Sequence, residues 1–521
     1  MIKGTKVRAA AFIAVSGLLL AGCGGASESE PQPGGENGAV GAEGGTLTVT
    51  TGQGAIPQLD PGLATFQWER VLYPLLWDGL TDTDSEGNIV PALAESWEAN
   101  EDYTEWTFVL QEGITYSNGE GITAEDIVWN VERVMEGNAS LAAKYLASVE
   151  EVEAQGDSEV HFVLADSDSV LPHGLTALRI IDPDNEDEIN TAPVSTGPFE
   201  VSNFVPDQRL EMVRNDNYWG EQPALDGITI ETTNDTSAAV TALRSGDVQV
   251  LWNLPAADSQ PLESDPAIEL LEAEESTQLH FISMDTTTPP FDDPKAREAL
   301  SLVLDRGSAV DVAFSGFGEA AMFNELVPQA SWAFDDSGLE PQEVDLDRAA
   351  QLFEEAGVSE GETLTWWGLA GAYPEWNREG QLLQENLAEI GINLKIENQE
   401  TGTWVDKFVP VGQEYPGYII PNAGGDLNDP SFIYSRLLSG ACECNWASEE
   451  FDELYAEGIK SDDESERAEI YQQMQEIVSE ERPILISIHA PMITATQSNV
   501  SGAWVTPSGD LRLEAAQIST E

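Results

Sequence analysis

The chain has 521 residues, of which 22 are basic and 94 acidic, for a formal charge of −72. That balance excludes nucleic acid as a partner, because phosphate binding needs clustered Lys and Arg. It favours hydration and cationic ligands at long range, within the roughly 10 Å that 0.1 M salt leaves unscreened, and points to a salty or otherwise harsh exterior.

At the N-terminus, Lys3, Lys6 and Arg8 precede the apolar run AAFIAVSGLLLA (10–21), which has the length of a signal-peptide core and is too short to span a bilayer. It ends in LLLAGC (18–23), which resembles the lipobox of bacterial lipoproteins. That resemblance makes 1–22 a signal peptide and Cys23 the lipidated first residue of the mature protein. Residues 24–45 hold eight glycines, four glutamates and no Lys or Arg. Such a segment cannot bury apolar surface, and it reads as a disordered tether spanning roughly 25 Å. The remainder is long enough for two or more domains, and no second segment has 18 consecutive apolar residues. Cys442 and Cys444 are either a disulfide or two thiols, and their C-x-C spacing lacks a zinc-site partner.

DTDSEGNIVPAL (82–93) begins like a calcium loop with Asp82, Asp84, Glu86 and Gly87. Its twelfth position is Leu93 where a glutamate is required, so a hairpin turn is expected. TSAAVTALRSGDVQVLW (236–252) predicts a helix, a stop at Gly246 and a strand. DLDRAAQLFEEAG (345–357) predicts a helix capped by Asp345 and ended by Gly357. LTWWGL (364–369) is a strand, 376–390 a helix with Leu383, Leu387 and Ile390 on one face, Gly391 its stop, and INLKI (392–396) a second strand. This is a β-α-β unit, and the class is α/β. In DLNDPSF, Asp429 is expected to cap a helix over 431–439 with Pro430 in its first turn. His161, His173, His280 and His489 are scattered, so no transition-metal cluster is visible, and no G-x-S-x-G, H-E-x-x-H or P-loop occurs. Neither catalytic chemistry, a metal nor a cofactor is expected.

Four longer stretches carry a family resemblance. IVPALAESWEANEDYTEWTFVLQEGITYSNGEGITAEDIVWNVERV (89–134) resembles the hallmark segment of the peptide/nickel family, family 5, of extracytoplasmic solute-binding proteins. APVSTGPFEVSNFVPDQRLEMVRNDNYWG (192–220) is similar to that family's second signature, with Ser195 where glycine is usual. FDDPKAREALSLVLDR (291–306) and RAEIYQQMQEIVSEERPIL (467–485) look like two more, all in family order. The resemblance implies a type II periplasmic-binding-protein-like fold of two lobes joined by a two-segment hinge. Lobe I would comprise 46–78, 190–278 and 488–521, with an extra small domain over 79–189 packed on it. Lobe II would be 279–487, and LHFISMD (279–285) and ILISIHA (484–490) would form the hinge.

It further implies a monomeric, membrane-anchored receptor that captures an oligopeptide or other small solute and passes it to the transmembrane subunits of an ABC permease. In peptide-binding members a D-x-N-[D/E]-P stretch supplies an aspartate for the ligand's amine, and DLNDP places Asp426 there. Ala423, Gly424 and Gly425 complete that loop. An ammonium in a closed cleft needs such a counter-charge, and the glycines leave the backbone free to approach the ligand. Thr65, Phe66 and Gln67 stand where the family's first ligand-contacting loop lies. The sequence departs from the peptide pattern at Ala423, where a tryptophan is frequent, and in AGAYPEWN (370–377), where some dipeptide binders keep a carboxylate-pairing arginine. Trp367, Tyr373, Trp376 and Trp404 are candidate cleft residues. Aromatic faces suit sugar rings, so a β-linked oligosaccharide receptor is the alternative, and a nickel or metallophore receptor a further one.

Overall fold

The computed structural model describes residues 44–51, 56–63, 71–137, 141–233, 235–273, 276–369, 373–408, 410–425 and 428–519. The signal peptide, Cys23, nearly all of the tether, Thr65, Phe66, Gln67 and Asp426 lie outside them. Among the described residues, no helix is long and apolar enough to cross a membrane.

The chain is built on two large sheets. The first has seven strands in the order Ile268–Leu271, Thr494–Gln497, Val250–Trp252, Thr46–Thr51, Gly227–Thr232, Arg209–Arg214 and Phe199–Val205. Thr46–Thr51 lies at its centre, parallel to both neighbours, with Leu47 and Val49 fully buried. The helix Thr236–Ser245 makes the crossover between two of these strands. Asp235 accepts the Ala238 N–H at its start, and Gly246, at φ +79°, ends it in the left-handed region that glycine enters without penalty.

The second sheet runs Glu319–Ala320, Ile484–His489, Leu279–Ser283, Tyr418–Gly424, Thr363–Leu369 and Asn393–Gln399. ILISIH is buried at every position, which is why it is mostly apolar and shows no alternation, with Ser487 and His489 as its buried polar members. The expected β-α-β unit is present: Thr363–Leu369 pairs in parallel with Asn393–Gln399, and the helix Pro374–Glu389 connects them. That helix buries Trp376, Glu379, Gly380, Leu383 and Leu387, one stripe at helical spacing. The helix Leu346–Glu355 is capped by Asp345, which accepts the Arg348 N–H.

A smaller antiparallel sheet of four strands, Ala94–Ala99, Glu105–Leu110, Glu159–Leu164 and Val149–Gln155, forms the extra domain. Trp106, Phe108 and Leu110 point inward from EWTFVL and join Ile127, Val131 and Val134 of the helix Ala124–Gly137 in one core. Residues 82–93 form the expected hairpin: Thr81–Thr83 pairs antiparallel with Ile89–Pro91, and the Asp84 carboxylate accepts the N–H groups of Glu86 and Asn88.

Two segments join the sheets. The chain leaves the first at Leu271 and enters the second at Leu279, then returns from His489 to Thr494. The strands expected as hinge are central, adjacent and antiparallel in the second sheet. The joining residues lie just outside them, and the two are tied together by the Ala490 N–H donating to Gln278 O at 3.1 Å. Cys442 and Cys444 form a disulfide.

Candidate ligand-binding cleft

The strand Tyr418–Gly424 carries the candidate loop to the edge of the second lobe. Its glycines have unequal jobs. A Cβ on Gly424 would meet the Arg436 guanidinium at 3.3 Å, a contact a flexible side chain accommodates. A Cβ on Gly425 would fall inside the side-chain amide of Gln278. Gln278 in turn donates through Nε2 to Ser508 O at 2.6 Å, and the neighbouring Thr277 N–H donates to Pro507 O at 2.9 Å. The close approach that requires glycine at 425 is therefore made by the joining segment, which brackets the loop against the first lobe.

Asp429 has the separate role expected of it. Its carboxylate accepts the Ser431 N–H at 2.9 Å and so caps the helix Pro430–Ser435, which is shorter than its sequence suggests. Sequence reasoning missed its second partner. Arg467 donates to the same oxygen at 2.6 Å, with the two side chains only 5% and 4% exposed. Burial opposes ionisation of Asp429, but the Arg467 guanidinium and these hydrogen bonds hold its carboxyl below the usual carboxylate range. Arg467 also donates to the Tyr471 hydroxyl and lies over the Trp332 ring.

Several cavities lie between the lobes, and two of them adjoin the candidate loop and the joining segments. The first, with about 680 Å³ of open space, is bounded by Tyr73, Asp82, Arg179 and Arg512 from the first lobe and its small domain. Asn428, two residues beyond Asp426, closes it from the second lobe. Close by, Asp78 accepts the Trp219 indole N–H at 2.8 Å, and burial, with the Asp82 charge adding, pushes its pKa up to about 7. Asp82 itself receives both Nη groups of Arg512, at 2.8 and 2.6 Å.

The second cavity, of about 670 Å³, is lined by Asn253 and Leu254 of the first lobe, by Gln278 and Met492 of the joining segments, and by Phe314 and Ala423 of the second lobe. His280, Tyr373 and Glu375 also face it. The Trp376 indole N–H donates to His280 Nδ1 at 3.1 Å, which leaves the ring proton on Nε2. Burial alone pulls the His280 pKa down to about 3, so the imidazole is neutral. Burial pushes the Glu375 carboxyl up to about 7.

The aromatic candidates divide. Tyr373 and Ala423 line the second cavity. Trp367, Trp376 and Trp404 line neither; they are 6%, 2% and 8% exposed and packed in the second lobe's core. Tyr373 stacks on Trp376 at 4.2 Å, and the ladder continues through Trp404, Phe408 and Tyr415. The reason is periodicity: Trp376 stands seven and eleven residues before Leu383 and Leu387, on the helix face that the sheet covers. Among the described residues, no group of three His, Cys, Asp or Glu is placed to hold a metal ion.

The lobes also touch away from the joining segments. The Ser169 N–H of the small domain donates to Ile459 O at 2.8 Å and its hydroxyl to Ser461 O at 2.7 Å, while Tyr145 meets Phe432 edge to face at 5.0 Å. These contacts bridge the cleft at a second place, away from the joining segments.

Comparison with known proteins places this architecture. Residues 88–443 match the profile of bacterial extracellular solute-binding proteins, family 5 middle. The chain is 28% identical over 508 residues to di/tripeptide-binding protein 2 of Pseudomonas aeruginosa, covering 90% of this chain and 94% of that one. Its fold matches a periplasmic binding protein of Helicobacter pylori solved with the peptide STSA, at TM-score 0.80 and 24% identity over 92% of this chain and 99% of that one. It also matches a dipeptide-binding protein of a Pseudoalteromonas species solved with Met-Leu, at TM-score 0.81 and 21% identity over 91% and 100%.

Proposed function

Because this chain belongs to the bacterial extracellular solute-binding proteins of family 5, we propose that it is a lipid-anchored receptor for short peptides that delivers them to an ABC permease. The observation that carries the reading is the two-lobe body with cavities opening between its lobes, one bounded by Tyr73, Arg179 and Asn428 and another by Asn253, Gln278 and Ala423. The peptide class is supported by the relatives named above, whose names and bound ligands are di-, tri- and tetrapeptides. Cys23, directly after LLLAG, supports the anchor, and the glycine-rich stretch 24–45 supports a tether that leaves the body free to reach its partner. The lobes are 46–78, 190–278 and 488–521 for the first, with 79–189 as its small domain, and 279–487 for the second. They open and close about the two joining segments, acting as a monomer.

Binding requires no covalent chemistry. Closure strips water from the ligand's ammonium, and Asp426 supplies the counter-charge that makes this affordable. Micromolar or tighter affinity, about −8 kcal/mol or better, is expected. The sugar reading loses its support, because three of the aromatic residues it relied on are in the core.

Titration calorimetry of the full mature chain with trialanine tests the assignment. Asp426→Asn weakens trialanine about tenfold or more and leaves N-acetyl-trialanine little changed. Equal losses on both peptides refute the amine role, and a wild-type protein that binds neither refutes the peptide class. Loss of labelled trialanine uptake in a deletion strain checks delivery to the permease.

A further inference from the structure

Two arginines face the first cavity, and they differ in how closely they are paired. Arg512 donates from Nε to Glu514 at 2.7 Å and from both Nη groups to Asp82, so its fork is filled. Arg179 makes one hydrogen bond among the described residues, a long 3.4 Å contact from Nη1 to Trp77 O. It forms no ion pair within 4.0 Å among those residues; Asp78, Asp82 and Asp510 act on it only from farther away. Its backbone is fixed by Leu178 and Ile180, both fully buried. In a chain with about four acidic residues for each basic one, a guanidinium in an interlobe cavity with no ion pair within 4.0 Å among the described residues is out of keeping with its surroundings.

A guanidinium held out of water is costly without a partner, and its planar fork matches a carboxylate in a way a lysine would not. Asn428 of the second lobe closes the same cavity and follows Asp426 by two residues. We propose that Arg179 receives the terminal carboxylate of the bound peptide, making the small domain a ligand-binding element. This rests on the peptide-receptor reading. It assigns the two ends of the ligand to opposite sides of the closing surface, the amine to the second lobe and the carboxylate to the small domain. It also accounts for the lack of an arginine in AGAYPEWN: the cation stands across the cleft.

The test is calorimetry on the full mature chain with trialanine, its C-terminal amide and its N-acetyl form. A hydrogen-bonded charge pair in a closed site is worth about ten- to a hundredfold in affinity. Amidation therefore weakens wild-type binding by that factor, and Arg179→Gln binds acid and amide equally, at the wild-type amide's affinity. Arg179→Lys, which keeps charge without the fork, falls between them and serves if the glutamine variant does not fold. If amidation leaves wild-type affinity unchanged, or Arg179→Gln and Arg179→Lys still discriminate as wild type does, the assignment is overturned while the peptide reading stands. If no form of trialanine binds wild type, both fall together.

Discussion

Asp429→Asn isolates the charge of a buried ion pair beside the candidate loop. Asparagine still caps the helix Pro430–Ser435, because its carbonyl oxygen can accept the Ser431 N–H. What it removes is the anion facing Arg467 across 2.6 Å, with both side chains about nineteen-twentieths buried. Breaking such a pair leaves an uncompensated buried charge, at a cost of about 3–5 kcal/mol. Asp429→Ala should lose about 1 kcal/mol more, the value of the cap. The double variant Asp429→Asn/Arg467→Met removes the stranded cation and should recover most of the loss. Urea unfolding followed by tryptophan fluorescence at pH 7 reads all three. Because the folded pKa of Asp429 is depressed, its stabilisation is complete above the unfolded value near 4 and is lost as pH falls through the folded one. The gap between wild type and Asp429→Asn should accordingly close in acid. A loss under about 1 kcal/mol, or a double variant no better than the single, would show that Arg467 is satisfied by Tyr471 and Trp332 alone, and would refute the reasoning. Peptide affinity of the folded Asp429→Asn protein should be unchanged within about threefold, in contrast to Asp426→Asn.

Two further expectations follow from the cleft. Glu375→Gln should flatten the fall in stability between about pH 4 and 7: the native carboxyl, raised by burial to about 7, favours the folded state below its unfolded value and loses that advantage as pH rises through 7. Thermal melts should show the variant gaining on wild type as pH increases, by on the order of 3 kcal/mol; parallel curves would contradict this. Gly425→Ala should displace the loop from Gln278 and weaken trialanine binding about tenfold, and Gln278→Ala on the same chain should restore part of it; no effect of the first change would mean that the bracket does not set loop position.

What the sequence disclosed and what it hid follow from chain distance. Local signals read correctly: Asp429 beside Pro430 and Asp345 beside its helix are caps contained within four residues. Four family-like stretches in order disclosed the fold. Arg467 lies 38 positions from Asp429 and Arg179 far from Asp426, and pairing across such separations has no periodic signature. The tryptophans were misjudged for another reason. Composition drew attention to aromatic rings as ligand surfaces, although the i, i+7, i+11 spacing of Trp376, Leu383 and Leu387 already placed that ring against the sheet. The same stripe contains Glu379, and Glu375 stands four residues before it. A carboxylate on an apolar face was the available sign of a group with an unusual titration.

The strand Thr494–Gln497 lies between Ile268–Leu271 and Val250–Trp252, and every strand of the second sheet falls between residues 279 and 489. During synthesis the order of emergence therefore differs from the order of completion. The second lobe has all its strands as soon as His489 has left the ribosome. The first lobe, although begun at Thr46, waits with a gap in its sheet until the last thirty or so residues arrive. Until then Ile268–Leu271 lacks the one strand it pairs with among the described residues, and such an unpaired edge invites proteolysis and aggregation. Shortening this protein from its C-terminus past Thr494 would thus dismantle the lobe made from its N-terminus and leave the second lobe whole.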